Sequence, residues 1–357
     1  MRLLGSLASY WRKRARAGAP VHMEALTERQ QVVDHTGAFL CAGRDEMGAA
    51  EEYEFDRLGY LVLRAFLTQD EVAALSAATD ALETHANANL PTGTGGEPLP
   101  PHKRSPWGGT YHFNPELGYH CNHVGEVDGN GANGGSSTII EDFFNADDRF
   151  DMLVDHPKTM NYIRNIVQDR PTINNSEIRL RYSGNRTPSH QPGSQREGPP
   201  KGKYQYQYSN GGIDCKMVRM IYFIHDVSNE DGAFCVTPGS HKSNRLPPAE
   251  FAPSQSPADD PTMVGLEVKA GDCILFTEST RHGGFPNRSG VPRKTLHVGY
   301  GPYWLASQNI ATMDEPPFLL ERTYQRYSPT QRALFNAWPR EAREGLSLYS
   351  NPRAARL

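Results

Sequence analysis

Apolar residues in this chain come in short runs, and their spacing changes once along its length. Residues 59–67 form one compact apolar run suited to a strand. Thr68-Gln69-Asp70-Glu71 follows, with Thr68 placed to cap a helix and Glu71 to return the bond three residues on. Val72, Leu75, Ala78 and Leu82 then recur at helical spacing. Residues 144–168 carry a second helical stripe, Phe150, Leu153, Met160, Ile163 and Ile166. From residue 176 the pattern shifts to strands: Ile178 to Tyr182, Tyr204 to Tyr208, Cys215 to Ile224, Ala233 to Val236, Val264 to Val268, Cys273 to Phe276, and Thr295 to Tyr300. Short strands separated by Gly/Pro turns predict a sandwich or jelly roll.

The polar stretches set the expected boundaries. Residues 24–47 read as a polar helix plus loop, and residues 1–50 as an N-terminal extension. Residues 88–138 are rich in Gly, Pro and Asn and read as one long loop, suited to a lid. Residues 51–310 form the expected β domain, and 311–357 a helical tail opened by Ser328-Pro329-Thr330-Gln331. The expected architecture is mostly β with surrounding helices.

Composition narrows the functional classes. The net charge of −4 over 357 residues offers no basic field for nucleic acid. No apolar run reaches the ~18 residues of a membrane span. The 33 glycines and 27 prolines suit a turn-rich β protein. Five cysteines without CxxC spacing predict reduced, buried thiols and an intracellular protein, cytoplasmic or organellar. Arg2, Arg12, Lys13, Arg14 and Arg16 stand in an acid-free segment. It reads as a solvated basic tail or surface helix, with a mitochondrial or other organellar transit peptide as the alternative.

Candidate chemistry gathers at Arg281-His282-Gly283-Gly284-Phe285-Pro286-Asn287-Arg288-Ser289-Gly290-Val291-Pro292-Arg293. A histidine on one strand and an arginine on the next, joined by a turn, can meet inside a barrel. There the imidazole can bind a metal and the guanidinium can clamp a carboxylate. His112, His120, Cys121 and His123 lie in the long loop without a second pair that would complete a zinc spacing. They read as loop polars.

The most specific stretch runs from Asp226-Val227 through Gly232 to Pro238-Gly239-Ser240-His241. Together with Gly271-Asp272, Phe276, His282-Gly283, Asn287 and Arg293, it resembles the phytanoyl-CoA dioxygenase family of iron(II)/2-oxoglutarate oxygenases. The resemblance runs from about Phe55 to Tyr300. It implies a double-stranded β-helix (a jelly roll, cupin-like), with Fe(II) at one mouth and 2-oxoglutarate as cosubstrate. It further implies O2 as a reactant and a small or lipid-like molecule as substrate. His282 matches the distal iron ligand, and Arg293, eleven residues later, the residue pairing with the cosubstrate's C5 carboxylate. His190 in Ser189-His190-Gln191-Pro192 matches the proximal histidine, 92 residues before His282, and Gln191 fits the family's His-Gln-Asp form. Gln191 is therefore counted with Arg293 as cosubstrate-binding. His241 reads as a structural residue of its turn.

Pro192 departs from the pattern, because the family's third ligand there is a carboxylate and proline has no ligand atom. Glu278, four residues before His282, shares its face if both lie on one regular strand, and is the expected substitute. Asp214 is the second candidate, with a turn-capping role as the simpler reading of each acid. Arg179 and Arg181 on one strand face, and Tyr182 on the other, are candidate pocket residues or surface side chains. Two alternatives to hydroxylation stay open: a halogenase-like enzyme with an open iron position, and a non-catalytic ligand-binding β-helix with a degenerate triad.

Overall fold

The structure, a computed structural model, describes residues 40–42, 47–89, 102–104, 110–114, 119–124, 137–191, 206–209, 211–243, 248, 256–305 and 319–335. The basic N-terminal segment, most of the polar stretch expected at 24–47, and Pro192 lie outside the described residues. In chain order the elements are β1 (Leu40–Ala42), α1 (Ala49–Leu58), β2 (Tyr60–Arg64), α2 (Gln69–Asn89), β3 (His102–Arg104), β4 (Thr110–Asn114), β5 (Tyr119–Val124) and β6 (Ser137–Glu141). Then come α3 (Pro157–Ile166), β7 (Pro171–Arg181), β8 (Thr187–His190), β9 (Tyr206–Ser209), β10 (Gly212–Cys215), β11 (Val218–Phe223) and β12 (Phe234–Val236). The chain continues through β13 (Val264–Gly265), β14 (Cys273–Thr277), β15 (His282–Gly284), β16 (Arg293–Pro302), α4 (Glu321–Arg326) and α5 (Pro329–Leu334).

Two sheets make the frame. The larger runs β1-β2-β14-β11-β16-β7-β6-β5-β4-β3, and the smaller β13-β12-β15-β8. From β11 to β16 the chain passes back and forth between the two, with β11, β14 and β16 in the larger sheet and β12, β13 and β15 in the smaller, which gives a double-stranded β-helix. Alternation along each strand decides what fills the space on either side. On β14, Cys273 and Leu275 join Val218, Met220 and Tyr222 of β11 in the core under the helices. Ile274 and Phe276 point the other way, into the space between the sheets, with Tyr60, Val62, Ile221, Phe223 and Phe234. Fully burying each such side chain contributes about 1.5–3 kcal/mol.

The inward positions of β7 and β16 are polar instead: Asn175, Glu177 and Arg179 sit opposite Gly299, His297 and Thr295, with Arg181 opposite Arg293. The space between the sheets is thus apolar at one end and charged at the other. Cys215, Cys235 and Cys273 are free and buried, as expected of reduced thiols.

Local signals explain the helices. Thr68 N donates to Glu71 Oε2 at 2.7 Å and Glu71 N to Thr68 Oγ1 at 3.2 Å, closing the capping box that starts α2. The single helix expected over 144–168 is broken. Two 3-10 turns, Phe143–Asn145 and Asp148–Leu153, precede α3. Asp147 caps the second turn through Arg149 N at 2.9 Å, and Pro157 at the first position of α3 has no N–H to leave unpaired. The expected loop at 88–138 also differs, since β3, β4, β5 and the first residues of β6 lie within it and extend the larger sheet. In the expected tail, Leu319, Tyr327 and Leu334 pack into the core under the helices. Among the described residues no helix is long and apolar enough to cross a membrane.

One glycine joins α1 to the rest. Gly59 ends α1 at φ +84 and donates to Phe55 O at 2.7 Å. Its carbonyl accepts from Thr277 N at 3.0 Å and from Thr280 Oγ1 at 3.2 Å. A Cβ there would overlap Thr280 Oγ1 and His241 Nδ1. Gly59→Ala combines left-handed strain with overpacking, so chemical denaturation should show a loss of about 2–5 kcal/mol.

His241 is buried against the edge of Tyr206, with ring centroids 4.5 Å apart. Its Nε2 donates to Asp56 O at 2.9 Å, and its Nδ1 is buried with no partner among the described residues. Burial lowers its pKa from 6.5 to about 4. The unfolded chain therefore takes a proton below pH 6.5 that the folded chain refuses. Its contribution to stability is present above pH 6.5, falls by up to about 1.4 kcal/mol per unit, and is lost by about pH 4. Denaturant titrations should show a shallower acid slope for His241→Gln than for the wild type across that window.

Candidate active site

Two histidines distant in sequence become neighbours through strand pairing. Antiparallel β8 and β15 place His190 directly opposite His282, with ring centroids 4.2 Å apart. His190 Nδ1 lies 2.8 Å from Pro188 O, and His282 Nδ1 2.8 Å from Thr280 O. A carbonyl can only accept, so each Nδ1 carries the proton and each Nε2 keeps its lone pair. Burial lowers the pKa of both, that of His282 further because His190 lies beside it. Phe276 and Phe234 pack against His282, at centroid distances of 4.9 and 5.5 Å.

The turns around the pair are tied by side chains. Arg281 pairs with Asp260 and donates to Ser189 Oγ at 2.8 Å, so the residue before His282 holds the residue before His190. Gln191 Nε2 donates to Ser240 O at 2.8 Å and Ser279 O at 3.0 Å. That amide knits the His190 strand to two turns, and Gln191 does not line the cavity. The structure thus places this expected cosubstrate contact in the scaffold.

Glu278 reaches the histidines by a different route from the expected one. β14 ends at Thr277, a turn closes with Thr280 N on Thr277 O at 2.9 Å, and β15 begins at His282 in the other sheet. Glu278 and His282 therefore share no strand face. The crossover brings Glu278 Oε2 to 3.9 Å from His282 Nε2, while Oε1 contacts Arg219 Nε. Asp214 pairs with Lys216 at 2.6 Å and does not line the cavity. As the side chains stand, no three His, Cys, Asp or Glu among the described residues converge closely enough to hold one ion.

The histidines, Glu278, Phe234 and Phe276 share one cavity between the sheets with Arg179, Arg219 and Arg293. β15 and β16 lie in opposite sheets, so the 281–293 stretch is a crossing and not a hairpin. Asn287 fixes the crossing: its Nδ2 donates to Val291 O at 2.6 Å, and its backbone pairs with Asn185 at 3.0 Å and Gly184 at 2.8 Å. Arg293 donates through Nη1 to Gly232 O, and its buried Nε has no partner among the described residues. Burial, helped by the nearby charge of Arg179, lowers its pKa to about 10.

A chain of charges lines the wall. Arg179 Nε donates to Glu177 at 2.7 Å, and Arg219 Nη1 donates to Glu177 and to Asn175, both at 2.7 Å. The two guanidiniums hold the Glu177 carboxyl well below the usual range despite its burial. Arg219, Glu177 and the cavity residue His297 had not been singled out in the sequence. A charged residue inside an apolar run, such as Arg219 between Val218 and Met220, was the available signal.

The donor set suits the group that the sequence resemblance implies. Two neutral imidazoles with Nε2 free and Nδ1 fixed by carbonyls are typical of histidines that ligate iron(II). A guanidinium short of acceptors in the same cavity suits a carboxylate.

The phytanoyl-CoA dioxygenase (PhyH) family model matches residues 55–295. No curated protein matches the chain. Among solved structures, HygX from Streptomyces hygroscopicus with iron bound is 18% identical, covering 76% of this chain and 95% of that one, at a TM-score of 0.53. HygX with nickel and 2-oxoglutarate bound is 19% identical, covering 76% and 96%, at 0.52. With nickel, 2-oxoglutarate and hygromycin B bound, it is 21% identical, covering 75% and 94%, at 0.52. These likenesses show the fold. The match over residues 55–295 places the chain in the phytanoyl-CoA dioxygenase family, as an iron(II)- and 2-oxoglutarate-dependent enzyme.

Proposed function

We propose that this protein hydroxylates a small or lipid-like molecule, consuming O2 and 2-oxoglutarate. The observation that carries this reading is the shared cavity, which is lined by the two histidines with free Nε2 lone pairs and by Arg293. His190 and His282 would hold iron(II), with Glu278 the nearest carboxylate to complete the set. When bound there, iron(II) with 2-oxoglutarate supplies O2 activation and C–H hydroxylation, releasing succinate and CO2.

The chain's own residues do the rest. Arg293 anchors the distal carboxylate of the cosubstrate, and its fork fixes the orientation. The carbonyls of Pro188 and Thr280 hold both imidazoles in the ligating tautomer. Phe234 and Phe276 form an apolar wall beside His282, which supports an apolar substrate portion at that side. HygX in complex with hygromycin B also supports a small-molecule substrate in this fold.

A second reading, halogenase-like, is favoured by the hold of Arg219 on Glu278, which leaves the third protein position open. Chloride separates the two. If Glu278 ligates, Glu278→Ala should weaken metal binding and abolish 2-oxoglutarate turnover, and chloride should leave the spectrum of the Fe(II)–cosubstrate complex unchanged. If the position is open, Glu278→Ala should matter little and chloride should perturb that spectrum.

Loss of a residue that merely supports a metal ligand typically costs about 10–100-fold in affinity. His190→Ala and His282→Ala should each cost more than that in Co(II) binding measured by chelator competition. Wild-type affinity in both variants would place the metal elsewhere.

Arg293→Lys keeps the charge but loses the fork, and should weaken 2-oxoglutarate roughly tenfold. Arg293→Ala should weaken it roughly a hundredfold, read by calorimetry on Mn(II)-loaded protein. An unchanged dissociation constant in the alanine variant removes Arg293 from the cosubstrate site.

A further inference from the structure

Arg179 has a different set of partners from the other cavity arginines. Its Nε is committed to Glu177 at 2.7 Å, but its two terminal nitrogens have no hydrogen-bond partner among the described residues. The side chain is 16% exposed and lines the cavity. The carboxylate it uses is already shared, because Arg219 donates to Glu177 Oε1 at 2.7 Å. Arg179, a residue of the cavity wall, therefore keeps two N–H-bearing nitrogens uncommitted among the described residues.

Register fixes which side chains share that face. Arg179 is opposite Thr295, and Arg293 is two residues along β16 on the same inward face. Diagonal neighbours of this kind sit about 7–8 Å apart at the backbone, within reach of long side chains. The head of Arg293 lies against the smaller sheet, since a Cβ on Gly284 would come within 3.3 Å of its Nη1. Arg179 opens onto the same cavity as the histidine pair. The nearby carboxylates, Glu177 and Glu278, are both engaged by Arg219, so the cavity that Arg179 and Arg293 line carries an excess of positive charge suited to an anion. The lowering of the Arg293 pKa partly by Arg179 is consistent with that closeness.

We infer that Arg179 is a second cosubstrate-binding arginine, donating its terminal N–H groups to the 2-oxoglutarate that Arg293 anchors at its distal end. The inference rests on the reading of Arg293 given above. A five-carbon diacid held at one end by Arg293 and directed at the histidines lies alongside β7, where Arg179 is waiting. Glu177 then has two tasks: it neutralises Arg219 and it aims the Arg179 fork across the cavity. No hydroxyl or amide at position 179 would supply both the charge and the two parallel donors.

The test compares Arg179→Gln and Arg179→Lys with Arg293→Gln. Two probes are used by calorimetry: 2-oxoglutarate on Mn(II)-loaded protein, and glutarate on metal-free protein. Arg179→Gln should weaken both ligands by roughly ten- to a hundredfold, the range expected for hydrogen bonds to a charged group. Mn(II) affinity measured without cosubstrate should not change. Arg179→Lys, which keeps an ion pair for Glu177, should show a smaller loss, and it carries the test if the glutamine variant does not fold. Wild-type affinity for 2-oxoglutarate in either folded Arg179 variant, alongside a loss in Arg293→Gln, overturns the inference and leaves the Arg293 reading standing. Equal losses of metal and cosubstrate binding in the Arg179 variants also overturn it, since they mark a structural role. Unchanged binding in Arg293→Gln overturns both readings.

Discussion

A buried guanidinium must find acceptors, and this fold buries several between two sheets. That constraint organises the interior. Removing one partner of a buried ion pair typically costs about 3–5 kcal/mol, so paired groups there behave as a unit. Arg179, Glu177, Arg219 and Glu278 form such a unit, alternating in charge across β7, β11 and the turn after β14. The apolar half of the same space, from Tyr60 to Phe276, anchors the strands that present these groups. Phe276 belongs to both halves: it fills the core and packs on the ring of His282.

The crossing of the chain between sheets does the remaining positioning. β14 and β16 belong to the larger sheet and β15 to the smaller. Each passage therefore carries a side chain across the cavity. The first brings Glu278 beside His282, and the second brings Arg293 into the same cavity. The Arg281 links to Ser189 and Asp260, and the Gln191 links to the turns at Ser240 and Ser279, hold the smaller sheet in register at the histidines. Apart from the Arg281–Asp260 pair, these ties use backbone carbonyls and a hydroxyl, which do not compete for a metal as carboxylates would.

Much of this was legible in the sequence where a local signal sufficed. The Thr68–Glu71 cap, the apolar runs of β11, β14 and β16, and the motif residues His282, Asn287 and Arg293 needed no tertiary information. The inward face of β7 did. Asn175, Glu177, Arg179 and Arg181 alternate with apolar Ile178 and Leu180, the pattern of any strand with one face in water. A polar face reads the same whether it meets solvent or a charged interior, so surface side chains remained an equal reading for the arginines. The strands within 88–138 were hidden for a related reason: glycine and asparagine dominate around them, and pairing with β6 and β7 supplies what propensity does not. Glu278 does come near His282, but through a change of sheet that spacing along the chain does not reveal and not along a shared strand face.

Proline at 192 supplies no carboxylate, and Glu278 is the acid that lines the cavity with the histidines. Under the proposed ligand set, Glu278 serves two groups: the Arg219 guanidinium through Oε1 and the histidine side through Oε2. Such sharing is affordable only if Arg219 keeps other acceptors when Glu278 turns toward the histidines. It does, because Nη1 holds both Glu177 and Asn175 at 2.7 Å. Glu177 in turn retains Arg179, so no charge in the unit is left alone by that movement. The same carboxylate can then neutralise an arginine in one arrangement and stand beside a divalent ion in another. Under the same proposal, an acid on the turn after β14 couples the histidine side of the cavity to the arginine side through one residue, Arg219.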